Sequence, residues 1–238
     1  MANGKIGTLG KIMETIPIFP LDIILYPNQV IPLRIFEPRY RQMLDTCMSG
    51  DRKFGICKTN NDIQKTGWDG PVDIGTIAYV LKCEDLDLTG TNYYIELMGK
   101  ERFQIKKLIQ PSLSKPLVYK PPEKPSMQAM LDEVSGKPLY FQAEVEYLPE
   151  LKGIIDGQKW KLIIGKLEKR IKKAAAKMGV EFNDFSGFIE HNKLSESNGS
   201  VQDFYNISSM CGLTLEMQQN ILEANTINQV IDFLDFDL

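Results

Sequence analysis

The chain has 238 residues but only one histidine, His191, and its four cysteines (Cys47, Cys57, Cys83 and Cys211) include no Cys-x-x-Cys pair. With a single imidazole, set in the polar segment 189–200 that reads as a loop, neither a histidine-rich metal centre nor a serine–histidine triad has the residues it needs. The scattered cysteines exclude a zinc ribbon and a disulfide framework, and fit a reduced, cytoplasmic setting. Long hydrophobic runs are missing too. The longest uncharged stretch of the apolar N-terminal region, Ile23–Leu33, holds two prolines and falls well short of the roughly 18 residues a membrane span needs. Residues 1–13 carry Lys5 and Lys11 but no continuous apolar core, so they read as a flexible leader rather than a signal peptide. No G-x-x-x-x-G-K-[ST], G-x-G-x-x-G or G-x-S-x-G occurs. The expectation is a protein without catalytic residues, metal or cofactor, and without a membrane partner.

What is present is ordinary globular material. The chain is 43% hydrophobic and 25% charged, with 28 Lys+Arg against 31 Asp+Glu for a net charge of −3. That suits a soluble protein long enough to bury a core. Charge is unevenly placed, however. From Leu194 onward there is no Lys or Arg, whereas Gln158–Met178 holds eight basic residues and one acid, Glu168. The acidic tail is therefore expected to pack beside the basic helix.

Texture divides the chain. The first 150 residues alternate short β-branched and aromatic runs with Gly, Pro, Asn and Asp, which predicts a small β unit with strands at Ile16–Phe19, Val30–Phe36, Phe54–Lys58, Gly75–Cys83, Tyr93–Met98, Arg102–Ile109 and Tyr140–Tyr147. One helix interrupts them: Pro38 presets its first turn, Tyr40, Met43, Leu44, Cys47 and Met48 recur at helical spacing, and Gly50 offers a left-handed stop. Phe36, Tyr40 and Phe103 are expected in the core. Six of the thirteen prolines fall between 111 and 138, which marks an inserted connector, with a short helix expected at Met127–Val134. Beyond Pro149 the pattern turns helical. Trp160, Ile163, Ile164, Leu167, Ile171, Ala174, Ala175 and Met178 trace one face of a long helix, and three short helices follow at Val201–Cys211, Thr214–Glu223 and Ile227–Phe236.

The segment Ile16–Ile56 carries Pro17-x-Phe19-Pro20-Leu21, Tyr26-Pro27 and Pro32-Leu33-x-Ile35-Phe36-Glu37-Pro38-Arg39-Tyr40. Farther on come Ile74-Gly75-Thr76, the segment Gly99-Lys100-Glu101-Arg102-Phe103, which reads as a turn, and a last strand around Tyr140–Leu148. In order and spacing this resembles the N-terminal substrate-binding domain of the Lon family, in a stand-alone form. The resemblance implies an α+β fold: a PUA-like β pseudo-barrel of mixed, mainly antiparallel sheet with one helix over 14–150, then a helical bundle over 151–238. It further implies a binding module for exposed apolar segments of client polypeptides, acting in protein quality control with a protease or chaperone partner. Full-length Lon proteases continue into ATPase and Ser–Lys peptidase domains, and neither occurs before Leu238. The signature residues read as fold determinants, and the Pro-bounded run Ile23, Ile24, Leu25 and Tyr26 is the candidate binding surface. The alternative is a nucleic-acid-binding protein that uses the basic helix at 158–178.

Overall fold

The computed structural model describes residues 13–63, 66–88, 92–115, 130, 132–210 and 212–234. Most of the N-terminal leader, the middle of the Pro-rich insertion with the first residues of its expected helix, and Cys211 lie outside the described residues. Strands β1 (Met13–Leu21), β2 (Val30–Ile35), β3 (Lys53–Ile63), β4 (Asp69–Asp85), β5 (Tyr93–Ile109) and β6 (Phe141–Tyr147) form one sheet, and helix α1 (Pro38–Met48) links β2 to β3. A two-residue pair follows, β7 (Ile154–Ile155) with β8 (Gly199–Ser200). Around it stand α2 (Gly157–Lys177), α3 (Phe185–His191), α4 (Val201–Met210), α5 (Leu215–Glu223) and α6 (Ile227–Leu234). The sheet order is β2-β5-β4-β3-β1-β6, and β6 also pairs with β5, so five strands close on themselves while β2 keeps an open edge.

Two prolines sit inside β1 because that strand changes partners. Residues 13–18 run antiparallel to β6, residues 18–21 run parallel to β3, and only Ile18 pairs on both sides. Pro17 and Pro20 thus each have a side on which no ladder bond is required. The stretch Gly99–Phe103 is no turn: β5 runs through it with a register shift opposite Thr76–Ala78. An extra residue is absorbed there as a bulge, which bends the long strand. Nor does Gly50 end α1 in a left-handed conformation; Arg52 does so, with φ of 61°. Arg52 is held by its own N–H to the Cys47 carbonyl and by its carbonyl, which accepts from Val80 N–H. Glu37 precedes Pro38 as the helix cap without a side-chain cap bond, because its carboxylate is engaged by Arg39 Nε at 3.0 Å.

Phe103 and Tyr40 are buried, at 0% and 4% exposure, but Phe36 is 39% exposed and is not core. The reason is strand period. Ile31, Leu33 and Ile35 face inward along β2, which turns Val30, Pro32, Arg34 and Phe36 outward. The Phe103 ring lies against Gly75 so closely that a Cβ there would come within 2.9 Å of it. Among the described residues apolar side chains form two clusters within the sheet unit, a small one at the Pro-rich insertion (Leu113, Met130 and Leu139), and a fourth that joins sheet to helices, in which Ile24 and Tyr26 pack with Trp160, Ile163, Leu167, Phe204 and Ile221. His191 is exposed as expected, but it closes α3, a helix whose N-terminus Asp184 caps by accepting from Gly187 N–H at 2.8 Å.

Candidate functional site

The signature residues converge where sheet meets helices. Tyr26 is fully buried; its ring stacks on Tyr205 at 4.7 Å, and its hydroxyl hydrogen-bonds Ser208 Oγ at 2.6 Å and donates to the Gln218 carbonyl at 2.9 Å. Burial pushes the phenol above its usual range, partly offset by the Ser208 bond, so it stays a neutral donor. Gly99 lets the β5 backbone lie against this loop, since a Cβ there would overlap the Tyr26 carbonyl oxygen. Arg102, 4% exposed, donates through one terminal nitrogen to the Leu222 and Ala224 carbonyls, both at 2.7 Å, and through the other to the Pro149 carbonyl at 3.1 Å. The cation thereby satisfies the carbonyls at the end of α5, where the helix dipole favours positive charge. Asn28–Gln202 at 3.1 Å, Gln29–Ser209 at 3.2 Å and Gln219 to the Ile74 carbonyl at 3.1 Å complete the seam.

The candidate binding run is therefore largely interior. Ile24, Leu25 and Tyr26 are 7%, 1% and 0% exposed and offer no face to a client; Ile23 alone is half-buried. Apolar residues between two parts of a fold read from sequence like an exposed apolar run, and only the helices that cover them tell the two apart.

Beside the seam lies an open cleft of about 640 Å³. It is lined by Pro27, Asn28 and Lys100–Arg102 together with 148–153, Ser200–Gln202 and Tyr205. Half-buried Leu148 and Leu151 supply apolar surface, while Lys100, Glu101, Glu150 and Lys152 ring it with charge of both signs. Nothing in the sequence marked residues 148–153 as the lining of a cleft, because a cleft is made by tertiary placement.

Elsewhere the signature clamps the sheet. The Arg39 guanidinium sits between the rings of Tyr40 and Trp68, 4.2 and 4.0 Å from their centroids. Trp68, which sequence reading passed over, donates through its indole N–H to the Leu113 carbonyl at 2.8 Å and so ties down the start of the Pro-rich insertion. Tyr40 packs on Phe19 at 3.9 Å between centroids. Burial pushes the Cys47 thiol up to about 12 and raises that of Cys57 as well, which keeps both as protonated core residues. Among the described residues no group of three or more His, Cys, Asp or Glu is placed to hold a metal, and no helix is long and apolar enough to cross a membrane.

Comparison with known proteins agrees with this geometry. The solved Lon N-terminal domain protein of Xanthomonas campestris superposes with a TM-score of 0.60 at 15% identity, covering 94% of this chain and 99% of that one. Lon protease of Syntrophus aciditrophicus is 25% identical over 229 residues, 95% of this chain and 25% of that protein. Lon protease of Desulfosudis oleivorans is 34% identical over 108 residues, 44% of this chain and 13% of that protein. The chain thus spans a quarter or less of the length of these curated relatives. The family model for the ATP-dependent protease La (LON) substrate-binding domain matches residues 15–232, and the chain belongs to that family.

Proposed function

We propose that this protein is a non-catalytic module that holds exposed apolar segments of client polypeptides in the cleft beside the seam. In this reading it serves cytoplasmic protein quality control, and it passes its clients to a protease or chaperone partner. The sheet unit over 14–150 acts as a PUA-like pseudo-barrel and residues 151–238 as a helical bundle, with the cleft between them. The observation that carries the reading is the cleft itself: about 640 Å³, open to solvent, with Leu148 and Leu151 half-buried amid mixed charge. A few apolar side chains of an extended chain fit such a volume. Each square ångström of apolar surface removed from water contributes about 25 cal/mol, so a short contact gives weak binding with little sequence preference. Mixed charge at the rim accommodates either sign on the flanking residues. The test is photo-crosslinking from a benzoylphenylalanine placed at Leu151, offered a permanently unfolded protein and the same protein folded. Adducts confined to the unfolded form are expected; equal adducts with both forms, or none, would remove the cleft as the binding surface.

A further inference from the structure

Strand β6 is followed by one more main-chain bond, from Leu148 N–H to the Arg102 carbonyl at 2.8 Å, and Pro149 then brings no N–H to continue the ladder. Pairing resumes at β7, where Ile154 and Ile155 meet Ser200 and Gly199. The chain between the two stays extended. Glu150, Lys152 and Ile154 are exposed while Leu151 and Gly153 are half-buried and Ile155 is buried, which is the alternation of a strand. Lys152 Nζ meets Glu150 Oε2 at 3.2 Å, as side chains two residues apart do on one strand face. Yet among the described residues the main-chain N–H and C=O groups of Glu150, Leu151 and Lys152 have no hydrogen-bond partner. The cleft is lined by a second stretch of this kind. β2 pairs with β5 as far as Met98, β6 begins its pairing at Phe103, and the bulge takes Lys100 and Glu101 out of register with β4, so neither residue has a strand partner in the sheet. Two extended stretches with open main-chain positions thus line one solvent-filled cleft.

We propose that the cleft holds its client by the main chain: an extended polypeptide segment lies in it as an added strand and hydrogen-bonds the open positions at Glu150–Lys152 and Lys100–Glu101. The inference rests on the reading of the cleft as a client site and names what is recognised there. A segment of about four residues, ~13 Å long at ~3.3 Å each, is enough to pass along Glu150–Lys152. Unpaired strand edges template pairing with another chain, and the main-chain bonds supply affinity whatever the side chains are. A helical segment cannot answer these groups, because its own N–H and C=O groups are already bonded to each other. Recognition therefore depends on whether a segment is unfolded. Leu148 and Leu151 add apolar contact, and Lys100, Glu101, Glu150 and Lys152 favour neither sign of charge on the flanking residues.

The experiment titrates the full chain into a fluorescent hexapeptide of alternating Val and Ser, and into its analogue in which esters replace the central amides. The ester keeps every side chain and removes main-chain donors, so the analogue should bind about tenfold more weakly for two bonds lost. Hydrogen exchange on the same samples reads the protein's side of the contact. The amides of Glu150, Leu151 and Lys152 should exchange severalfold more slowly with the amide peptide bound, while those of α2 stay as they were. A hexapeptide with the same residues in shuffled order should bind as the parent peptide does. Equal binding of amide and ester peptides, or binding without slower exchange at 150–152, would overturn strand addition and leave the cleft as a site read by side chains. Failure of the amide peptide to bind would overturn it as well, and the crosslinking from Leu151 then decides separately whether the cleft takes clients at all.

Discussion

Arg102 at the seam and Lys169, Lys173 and Lys177 of α2 are cations without a carboxylate partner among the described residues, yet their surroundings are opposite. Arg102 is 4% exposed and spends its donors on three main-chain carbonyls, whereas Lys169, Lys173 and Lys177 stand in water. Burying a cation is costly unless its hydrogen bonds are replaced, so Arg102 can exist only where the chain has built an acceptor for each donor it uses. That makes it a residue of architecture, holding α5 to the sheet. Lys169, Lys173 and Lys177 cost the fold little, because they keep their hydration. Similar charge chemistry thus separates what fixes the two halves together from what faces outward.

The contrast is broken most forcefully at the seam. Arg102→Met keeps the apolar stem but leaves the Leu222, Ala224 and Pro149 carbonyls without their donor; at 1.5–3 kcal/mol for a bond to a charged group, a loss of about 3 kcal/mol or more is expected in urea unfolding. The helices should then loosen before the sheet, visible as earlier hydrogen exchange in α5 than in β4. Unchanged stability would mean that the seam is held by apolar contact alone.

A finer cut removes one oxygen. Tyr26→Phe keeps the stack on Tyr205 but strips Ser208 and the Gln218 carbonyl of their buried partner, for an expected loss of about 1–2 kcal/mol. A neutral result would show that water or a rotated Ser208 replaces the phenol.

How much of this was legible beforehand differs from residue to residue, for physical reasons. The order Pro-x-Phe-Pro-Leu, Tyr-Pro, Phe-Glu-Pro-Arg-Tyr identified the family, because prolines, glycines and a clamped arginine leave a fixed local imprint. Strand positions followed from β-branched runs, but their joining did not: two expected strands fused into β5 across a bulge, and β1 swapped partners at Ile18. Phe36 was misplaced because the phase of an edge strand depends on which neighbour it meets. The cleft, the pairing of Tyr26 with Tyr205 and the carbonyl cage of Arg102 bring together residues more than a hundred positions apart, and no local pattern encodes that. The charge blocks were legible, and the apolar positions of α2 place it against the helices of the acidic tail, through Trp160, Ile163 and Leu167 with Ile221, Leu222 and Ile231.

The smallest effect sharpens the comparison at the surface. Glu14 is subject to burial, which would raise its pKa, but hydrogen bonds from Lys53 and Tyr147 outweigh that and hold it below the usual value of about 4.5. A carboxylate whose folded pKa is depressed stabilises the fold above its unfolded pKa and loses that contribution as pH falls through the folded one. Compared with the parent, Glu14→Gln should therefore show a slightly lower Tm at pH 7, with the gap narrowing below about pH 4.5 and closing in stronger acid. A gap independent of pH would assign the effect to packing.

The claim on which the functional reading turns is that the cleft takes unfolded chain. Fluorescence anisotropy of a labelled, reduced and carboxymethylated protein, titrated with the full chain, measures this directly when repeated with Leu151→Asn and with the α2 variant Lys169→Gln/Lys173→Gln/Lys177→Gln. Binding of the unfolded form alone, weakened severalfold by Leu151→Asn at unchanged Tm and untouched by the α2 variant, is the predicted result. Binding that ignores Leu151→Asn and disappears with the α2 lysines would contradict the account, placing recognition on the charged flank and not in the cleft.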